Sequence, residues 1–449
     1  MKRRDVLKAA SLGVGTLVAG QPSPASSGPP RATAEKADVL VVGGGTAGTV
    51  AAIQAARAGA RTALVEMCGQ LGGTTTTAGV SAPGLFHAWG KQVIAGIGWE
   101  LVRKAVELEG STMPDFSKIP ERHSHHQVRV NPSLYAMLAE EACLAAGVAL
   151  HYYEFPRAVR PSADGWLVET VGKGVDRQVA CRQLIDCTGG ADLVGMIGLP
   201  RLREKTVQPG TLIFELGNYA TERLDAGLIE RRYQEALGQG RLKPGDYCHV
   251  GRPFIGFLKG RGVNAQHIFG ADSSTSATKT QANIAGRASL LRLLRFVRSL
   301  PGCENARIMR VAQETGVRET YRIVGEVQIT RDDYVAGRVF DDAIGHSFYP
   351  IDIHDERGVQ PEPLARGVVP TIPLRALVPK GSRNLLAAGR SVSSDRAANS
   401  ALRVQASCMA MGQAAGACAA LAAAEGCTPL AVAHAELRTL LRKHAAIVP

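Results

Sequence analysis

The chain has 449 residues, 45% of them hydrophobic, 20% charged and 5% aromatic, with 50 glycines. That length accommodates two or three domains with ample core, and the balance excludes a fibre, a disordered tail and a small scaffold. Lys+Arg 52 against Asp+Glu 40 leaves a net charge of +12, but the excess is dispersed and no basic run is interleaved with aromatics, which argues for solubility and some attraction to anions and against nucleic-acid binding.

Residues 1–20 open with Lys2, Arg3 and Arg4, continue through a short, mildly apolar stretch from Ala9 to Val18, and pass into a Pro/Ser-rich spacer with Ala32-Thr33-Ala34 as one possible cleavage site. This is the layout of an export signal, too short to span a bilayer. The run Arg3-Arg4-Asp5-Val6-Leu7-Lys8 resembles a twin-arginine signal, which implies the twin-arginine translocation machinery as a partner, a passenger folded before export, and a periplasmic or extracellular destination. The cysteines number nine and include no C-x-x-C pair, which argues against zinc, iron–sulfur and dithiol sites and fits a chain folded under reducing conditions. No other segment reaches the roughly 18 consecutive apolar residues of a stable membrane span.

Ala37 to Val42 has the apolar, β-branched character of a buried parallel strand. It runs into Gly43-Gly44-Gly45-Thr46-Ala47-Gly48, then an Ala-rich helix to Ala58 that Gly59 stops, then a second strand from Arg61 to Val65 ending in Glu66. A G-x-G-x-x-G alone is weak, but between strand and helix, with an acid 18 residues beyond its last glycine, it has the full dinucleotide-binding context. Gly43 permits the turn, Gly45 lets backbone amides approach a diphosphate, Gly48 lets the helix pack close, and Thr46 and Ala47 open a helix whose N-terminus attracts the anion. Glu66 would accept from ribose hydroxyls and repel a 2′-phosphate, which leaves FAD or NAD. The loop Met67-Cys68-Gly69-Gln70-Leu71-Gly72-Gly73-Thr74-Thr75-Thr76-Thr77 offers a second backbone approach suited to an extended cofactor, and so favours FAD.

Four blocks in order resemble the FAD-dependent oxidoreductase family of the glutathione-reductase/fumarate-reductase flavoprotein superfamily, over nearly the whole mature chain. They are the glycine fingerprint with Leu71-Gly72-Gly73-Thr74; Leu184-Ile185-Asp186-Cys187-Thr188-Gly189-Gly190-Ala191-Asp192; Gly316-Val317-Arg318-Glu319-Thr320 with Asp352-Ile353-His354; and Asn384 to Arg390 with Met411-Gly412-Gln413-Ala414-Ala415-Gly416. The family usually carries D-A-T-G where this chain has Cys187, a small-for-small exchange. The resemblance implies a Rossmann-like α/β FAD-binding domain, three layers with a parallel sheet and a β-meander, interrupted by an α+β substrate domain. It adds Thr188, Gly189, Asp192, Gly389, Arg390 and Gly412 to the residues expected near FAD. The helix starting near Ala406, after a loop through Arg403, would bring its positive end to the flavin.

The expected divisions are 1–34 for leader and spacer, 35–205 and 365–449 for the FAD domain, and 206–364 for the insert. Asn131-Pro132 caps a helix to about Ala146, strands over 148–180 form the meander, and Gln208 to Leu216 opens the insert. A helix from Ala277 to Leu300 has Leu290, Leu291, Leu294 and Val297 as its core stripe, with Arg292, Arg295 and Arg298 on a solvated face. Glu121-Arg122-His123-Ser124-His125-His126 reads as a surface loop and not as a metal site.

Where insert meets flavin, Arg318 and Arg403 suit an oxyanion and the charge developed in hydride transfer, and His354 is the choice for acid/base work. The reading is an exported FAD enzyme moving hydride between the flavin and a small organic substrate with a C–H next to oxygen or nitrogen, its electron acceptor unidentified. The alternatives are a C=C reductase or dehydrogenase, and an FAD-holding protein without turnover. A flavin hydroxylase or halogenase is disfavoured, because the chain lacks W-x-W-x-I-P and has no G-D-A in the returning strand.

Overall fold

A computed structural model describes residues 32–120, 123–248, 252–359 and 361–449, so the twin-arginine run lies outside the described residues. The elements that position the site begin with β1 (Ala32–Val42), α1 (Thr46–Arg57) and β2 (Thr62–Glu66). After α2 (Pro132–Ala145) come β3 (Ala149–Tyr152), β4 (Phe155–Ser162), β5 (Gly165–Gly172) and β6 (Val175–Asp186), followed by α3 (Asp192–Met196). The strands β11 (Thr371–Pro373) and β12 (Leu385–Ala387) come late in the chain.

These strands form one seven-stranded sheet, ordered β3-β2-β1-β6-β5-β4, with β12 also on β6. The pairs β3/β2, β2/β1, β1/β6 and β6/β12 are parallel, and β4/β5 and β5/β6 are antiparallel. Besides β1 along its length, β6 serves two further partners: its first part carries the meander strand β5, from Val175 to Cys181, and its last residues Leu184–Asp186 carry β12. The result is the Rossmann-like α/β arrangement with a β-meander. β1 begins five residues earlier than its apolar run suggests, because Ala32 to Lys36 pair with Asp176 to Ala180 on β6. Ala32-Thr33-Ala34, the possible cleavage site, is thus part of a paired strand.

The helix α7 (Gln405–Glu425) is buried along most of its length and crosses α1 with its backbone nearly touching. A Cβ on Gly412 would stand 2.1 Å from the Ala47 carbonyl oxygen, and one on Gly416 would stand 2.2 Å from that of Ala51. Only glycine permits that crossing. Among the described residues α7 is also the one helix long and apolar enough to cross a membrane, but here it lies inside the protein. The segment before it is not the plain loop expected, since Asp395 caps the short helix α6 (Arg396–Leu402) by accepting from Ala398 N at 2.8 Å.

Residues within 212–306 form a buried cluster of their own, with Leu212, Phe214, Phe254, Phe257, Leu290, Leu293 and Phe296 packed together. It packs β7 (Phe214–Gly217), β8 (Gly262–Val263) and β9 (Arg307–Val311) with α4 (Ala226–Gly238) and α5 (Ser276–Arg298). The stripe of α5 differs from the one expected. Leu290, Leu293, Phe296 and Val297 are buried, whereas Leu291 is 47% exposed, because an aromatic neighbour cluster from Tyr233, Tyr247 and Phe254 takes Phe296 as its contact. Arg292 is likewise not part of a solvated face: it grips the buried Asp246 through Nε at 2.9 Å and Nη2 at 2.6 Å. Residues 329–364 contribute Ile329, Tyr334, Ile344, Ile351 and Leu364 to the main core instead.

Candidate functional site

At the nucleotide end, Gly43 turns out of β1 at φ +100°, and a Cβ there would lie 2.3 Å from the Cys187 carbonyl oxygen. A Cβ on Gly48 would lie 1.8 Å from the Gly43 oxygen. These contacts bring the first turn of α1 against the ends of β1 and β6. Gly45 is the N-cap of α1, no side chain caps it, and no acid sits in the first turn, so the first amides of the helix point out unclaimed by a side chain. Leu71–Gly73 lies along this loop, with Gly72 N donating to Gly44 O at 2.9 Å and Thr46 Oγ1 to Gly72 O at 3.3 Å.

Glu66 at the end of β2 accepts from Gly44 N at 2.6 Å and Cys68 N at 2.7 Å, one on each carboxylate oxygen. Burial pushes its pKa upward against those two amides. Met67 stands 66% exposed beside it, and Thr74 is exposed, while Thr75 and Thr76 turn inward to Gln405 and to Leu71 O. Gly389 comes near Ala47, so the returning strand and α7 both close on the same helix turn.

The second block folds around an acid that the motif reading passed over. Asp186, wholly buried, accepts from Thr188 N and Oγ1 and from the amides of Leu193 and Val194, fixing the turn and the start of α3. Burial, with Asp192 close by, pushes its carboxyl up to about 6. Thr188 Oγ1 in turn accepts from Asp192 N at 3.0 Å. Arg390, expected at the cofactor, donates to Gly189 O and Val317 O, each at 2.7 Å, and to Ser273 Oγ at 3.3 Å. The structure uses it to tie the turn after β6 to the segments carrying Ser273 and Val317. Gly412 meets α1, as described, and not an open face.

The three expected catalytic residues converge on Asp352. His354, on β10 (His354–Asp355), places Nε2 3.1 Å from Asp352 Oδ2. Arg403, the residue after α6, donates Nη2 to the Asp352 carbonyl at 3.1 Å and reaches Oδ2 at 3.4 Å. Arg318 is held through Pro209 O, and its positive charge acts on Asp352, His354 and Tyr349. Burial and the Arg403 charge bring the Arg318 guanidinium down to about 9. Burial works against the ionised Asp352, but the hydrogen bond from His354 and the charges of Arg403 and Arg318 outweigh it and hold the carboxyl at about 2. Burial and the Arg318 charge bring His354 down to about 4 despite Asp352. At neutral pH the imidazole is therefore uncharged.

His267 lies outside every motif and completes the group, with Nε2 2.9 Å from His354 Nδ1. No sequence signal marks it; only the pairing of Gly210 with Ile268 brings its segment against the one carrying Gln208, whose side chain accepts from His354 N. Gln208 is fixed by Glu319, and Glu319 by Arg396. The loop expected at residues 121–126 is described only in part. There His126 is buried, edge-on to Phe116, with Nε2 3.2 Å from Asp115 O, so this end of the loop packs inward because an aromatic pocket receives it. Among the described residues no group of three or more His, Cys, Asp or Glu side chains gathers around a cation position.

Residues 38–441 match the family described as FAD dependent oxidoreductase. A 52-residue stretch, 11% of this chain, is 54% identical to a dihydrolipoyl dehydrogenase of Trypanosoma brucei brucei and spans 11% of that protein. An anhydrotetracycline hydroxylase from Streptomyces rimosus is 19% identical at a TM-score of 0.31, with 42% of this chain and 38% of that one covered. A geranylgeranyl bacteriochlorophyll reductase-like protein from Thermoplasma acidophilum is 14% identical at a TM-score of 0.43, with 92% and 83% covered.

Proposed function

The chain belongs to the FAD-dependent oxidoreductase family, and on that premise we propose that it oxidises a C–H bond next to oxygen or nitrogen in a small anionic molecule bound between the insert and the nucleotide domain. It is an FAD-dependent oxidoreductase, and FAD is its cofactor. The residues of the nucleotide end fit that group. Gly45 leaves the α1 terminus uncapped, and a Cβ there meets nothing within 4 Å, which is the room a diphosphate needs. Each Glu66 oxygen accepts one amide and the Cys68 thiol takes a further place, which leaves the carboxylate with acceptor capacity for a ribose hydroxyl. Bound FAD supplies hydride acceptance; the chain's residues bind, orient and balance charge.

One observation carries the substrate class. Arg403 pairs with the carboxylate of Asp352, and Arg318 sets a second positive charge against the same group with an uncharged His354 beside it, so two positive charges face one negative. A buried cluster with one surplus positive charge favours an anionic guest, and a guanidinium suits a carboxylate through paired donors. The twin-arginine leader belongs to the same reading. The nine cysteines are all free, which supports folding before exposure to oxidant.

The test is to purify the holoprotein, record its flavin spectrum, and follow anaerobic bleaching with carboxylate-bearing alcohols and amines against their uncharged counterparts. We expect bleaching by acids, lost in Arg403→Ala with FAD retained. Bleaching only by uncharged donors would remove the anionic class, and a flavin that no C–H donor reduces would remove the reaction.

A further inference from the structure

Both ring nitrogens of His354 are engaged within the protein. Nε2 faces Asp352 Oδ2 at 3.1 Å and Nδ1 faces His267 Nε2 at 2.9 Å, with the two rings inclined at 64°. His354 is 9% and His267 5% exposed, so water does not compete for these bonds. An ionised carboxylate can only accept, which places the His354 hydrogen on Nε2. Its Nδ1 then either carries a lone pair or belongs to an imidazolium.

The surroundings decide between these states. Arg318, on the segment before β10, and Arg403, after α6, set positive charge against the ring. Asp352 opposes them, and Asp355, half-exposed and paired with Arg357, stands on the His267 side. Tyr349 and Cys248, which lie near Arg318, are pushed up by burial and remain neutral. With two cations against the ring and one buried carboxylate for it, the imidazole is neutral, Nδ1 accepts, and His267 Nε2 donates.

We propose that His267 is a positioning residue: by donating to His354 Nδ1 it locks His354 in the Nε2–H form, and through Asp352 it sets the orientation of Arg403. The chain His267–His354–Asp352–Arg403 then runs from the insert to the guanidinium that meets the substrate. This rests on the reading that Arg403 faces an anionic substrate. It also assigns His354 a supporting place, since neither ring nitrogen is turned to an open face. The arrangement follows a general rule that a histidine is fixed in one tautomer by the bond its other nitrogen makes.

The experiment is nitrogen-15 NMR of histidine-labelled holoprotein, with His354 assigned by its absence in His354→Asn, comparing the parent with His267→Phe and His267→Gln. In the parent, His354 is expected to show one protonated and one bare nitrogen, unchanged between about pH 5 and pH 8. In His267→Phe the donor is gone, and protonation of His354 should move up by about one unit or more. His267→Gln carries an amide donor and should restore the parent behaviour. Titration of the parent ring near its ordinary value would overturn the proposal even if His267→Phe does not fold, as would an unshifted His354 in a folded His267→Phe protein. None of these signals needs a substrate, so a silent donor panel would remove the substrate reading and leave this result standing.

Discussion

The nucleotide end and the polar cluster beneath the insert are built on opposite principles. At the first, backbone meets backbone: Gly412 against Ala47, Gly416 against Ala51, Gly48 against Gly43. At the second, side chains from distant segments meet: His267, Arg318, Asp352, His354 and Arg403. A backbone approach tolerates one residue type and so leaves a mark in the sequence. A side-chain cluster is made by long-range pairing and satisfies itself with polar groups that are common everywhere. The two regions should therefore fail differently.

Gly412→Val probes the first region and should have the largest effect. Its Cβ would fall inside van der Waals contact of a carbonyl in a helix that cannot retreat, and overpacking of this kind costs about 3 kcal/mol or more. The expected outcome is little soluble protein and no flavin absorbance in what remains. Yellow, stable protein with unchanged thermal midpoint would mean that the crossing of α1 and α7 is looser than the structure shows.

Asp352→Asn probes the second and should act without bleaching the cofactor. It takes the ion-pair partner from Arg403 and the balancing negative charge from near Arg318, and breaking a buried charge pair costs on the order of 3 kcal/mol. The expected variant keeps FAD, unfolds at lower denaturant, and binds anionic donors more tightly or equally at the expense of positioning. Parent-like stability in urea would show that the cluster is solvated enough to stand without Asp352.

The smallest effect is a pH dependence, and its sign follows from the histidines. His354, brought from 6.5 to about 4 by burial and Arg318, remains uncharged in the folded protein where it would be protonated in the unfolded chain. Its contribution is thus fully present above pH 6.5 and lost as pH falls toward 4, amounting to about 2 kcal/mol by pH 4.5. His87, also brought to about 4, chiefly by burial, acts in the same direction and window. Urea midpoints at neutral and mildly acidic pH should differ accordingly, and His354→Asn should reduce the difference. A flat profile would contradict a neutral, buried His354.

The residues themselves divide along the same line. The strand–glycine–helix unit, Glu66 at the end of β2 and the Asn131 cap were all legible, because each answers a local demand of backbone geometry or helix termination, whereas Gly412, expected near the flavin, meets α1 instead. The stripe of α5, the pairing of Arg292 with Asp246 and the place of Arg390 were not, since each depends on what another element puts opposite. His354, Arg318 and Arg403 could be nominated from their blocks, as could Asp352 beside His354, but not that the Asp352 carboxylate also receives Arg403.

By itself, then, the sequence determined the Rossmann-like frame, the FAD family and the glycines of the first strand–helix turn, since steric exclusion there acts over a few residues and admits only glycine. Only the tertiary structure decided that His267 stands behind His354 and that Arg390 ties the turn after β6 to the segments carrying Ser273 and Val317. Those outcomes rest on which polar groups are left facing one another after the sheet, insert and returning helices have packed, and hydrogen bonds made at that stage carry no periodicity for a sequence to display.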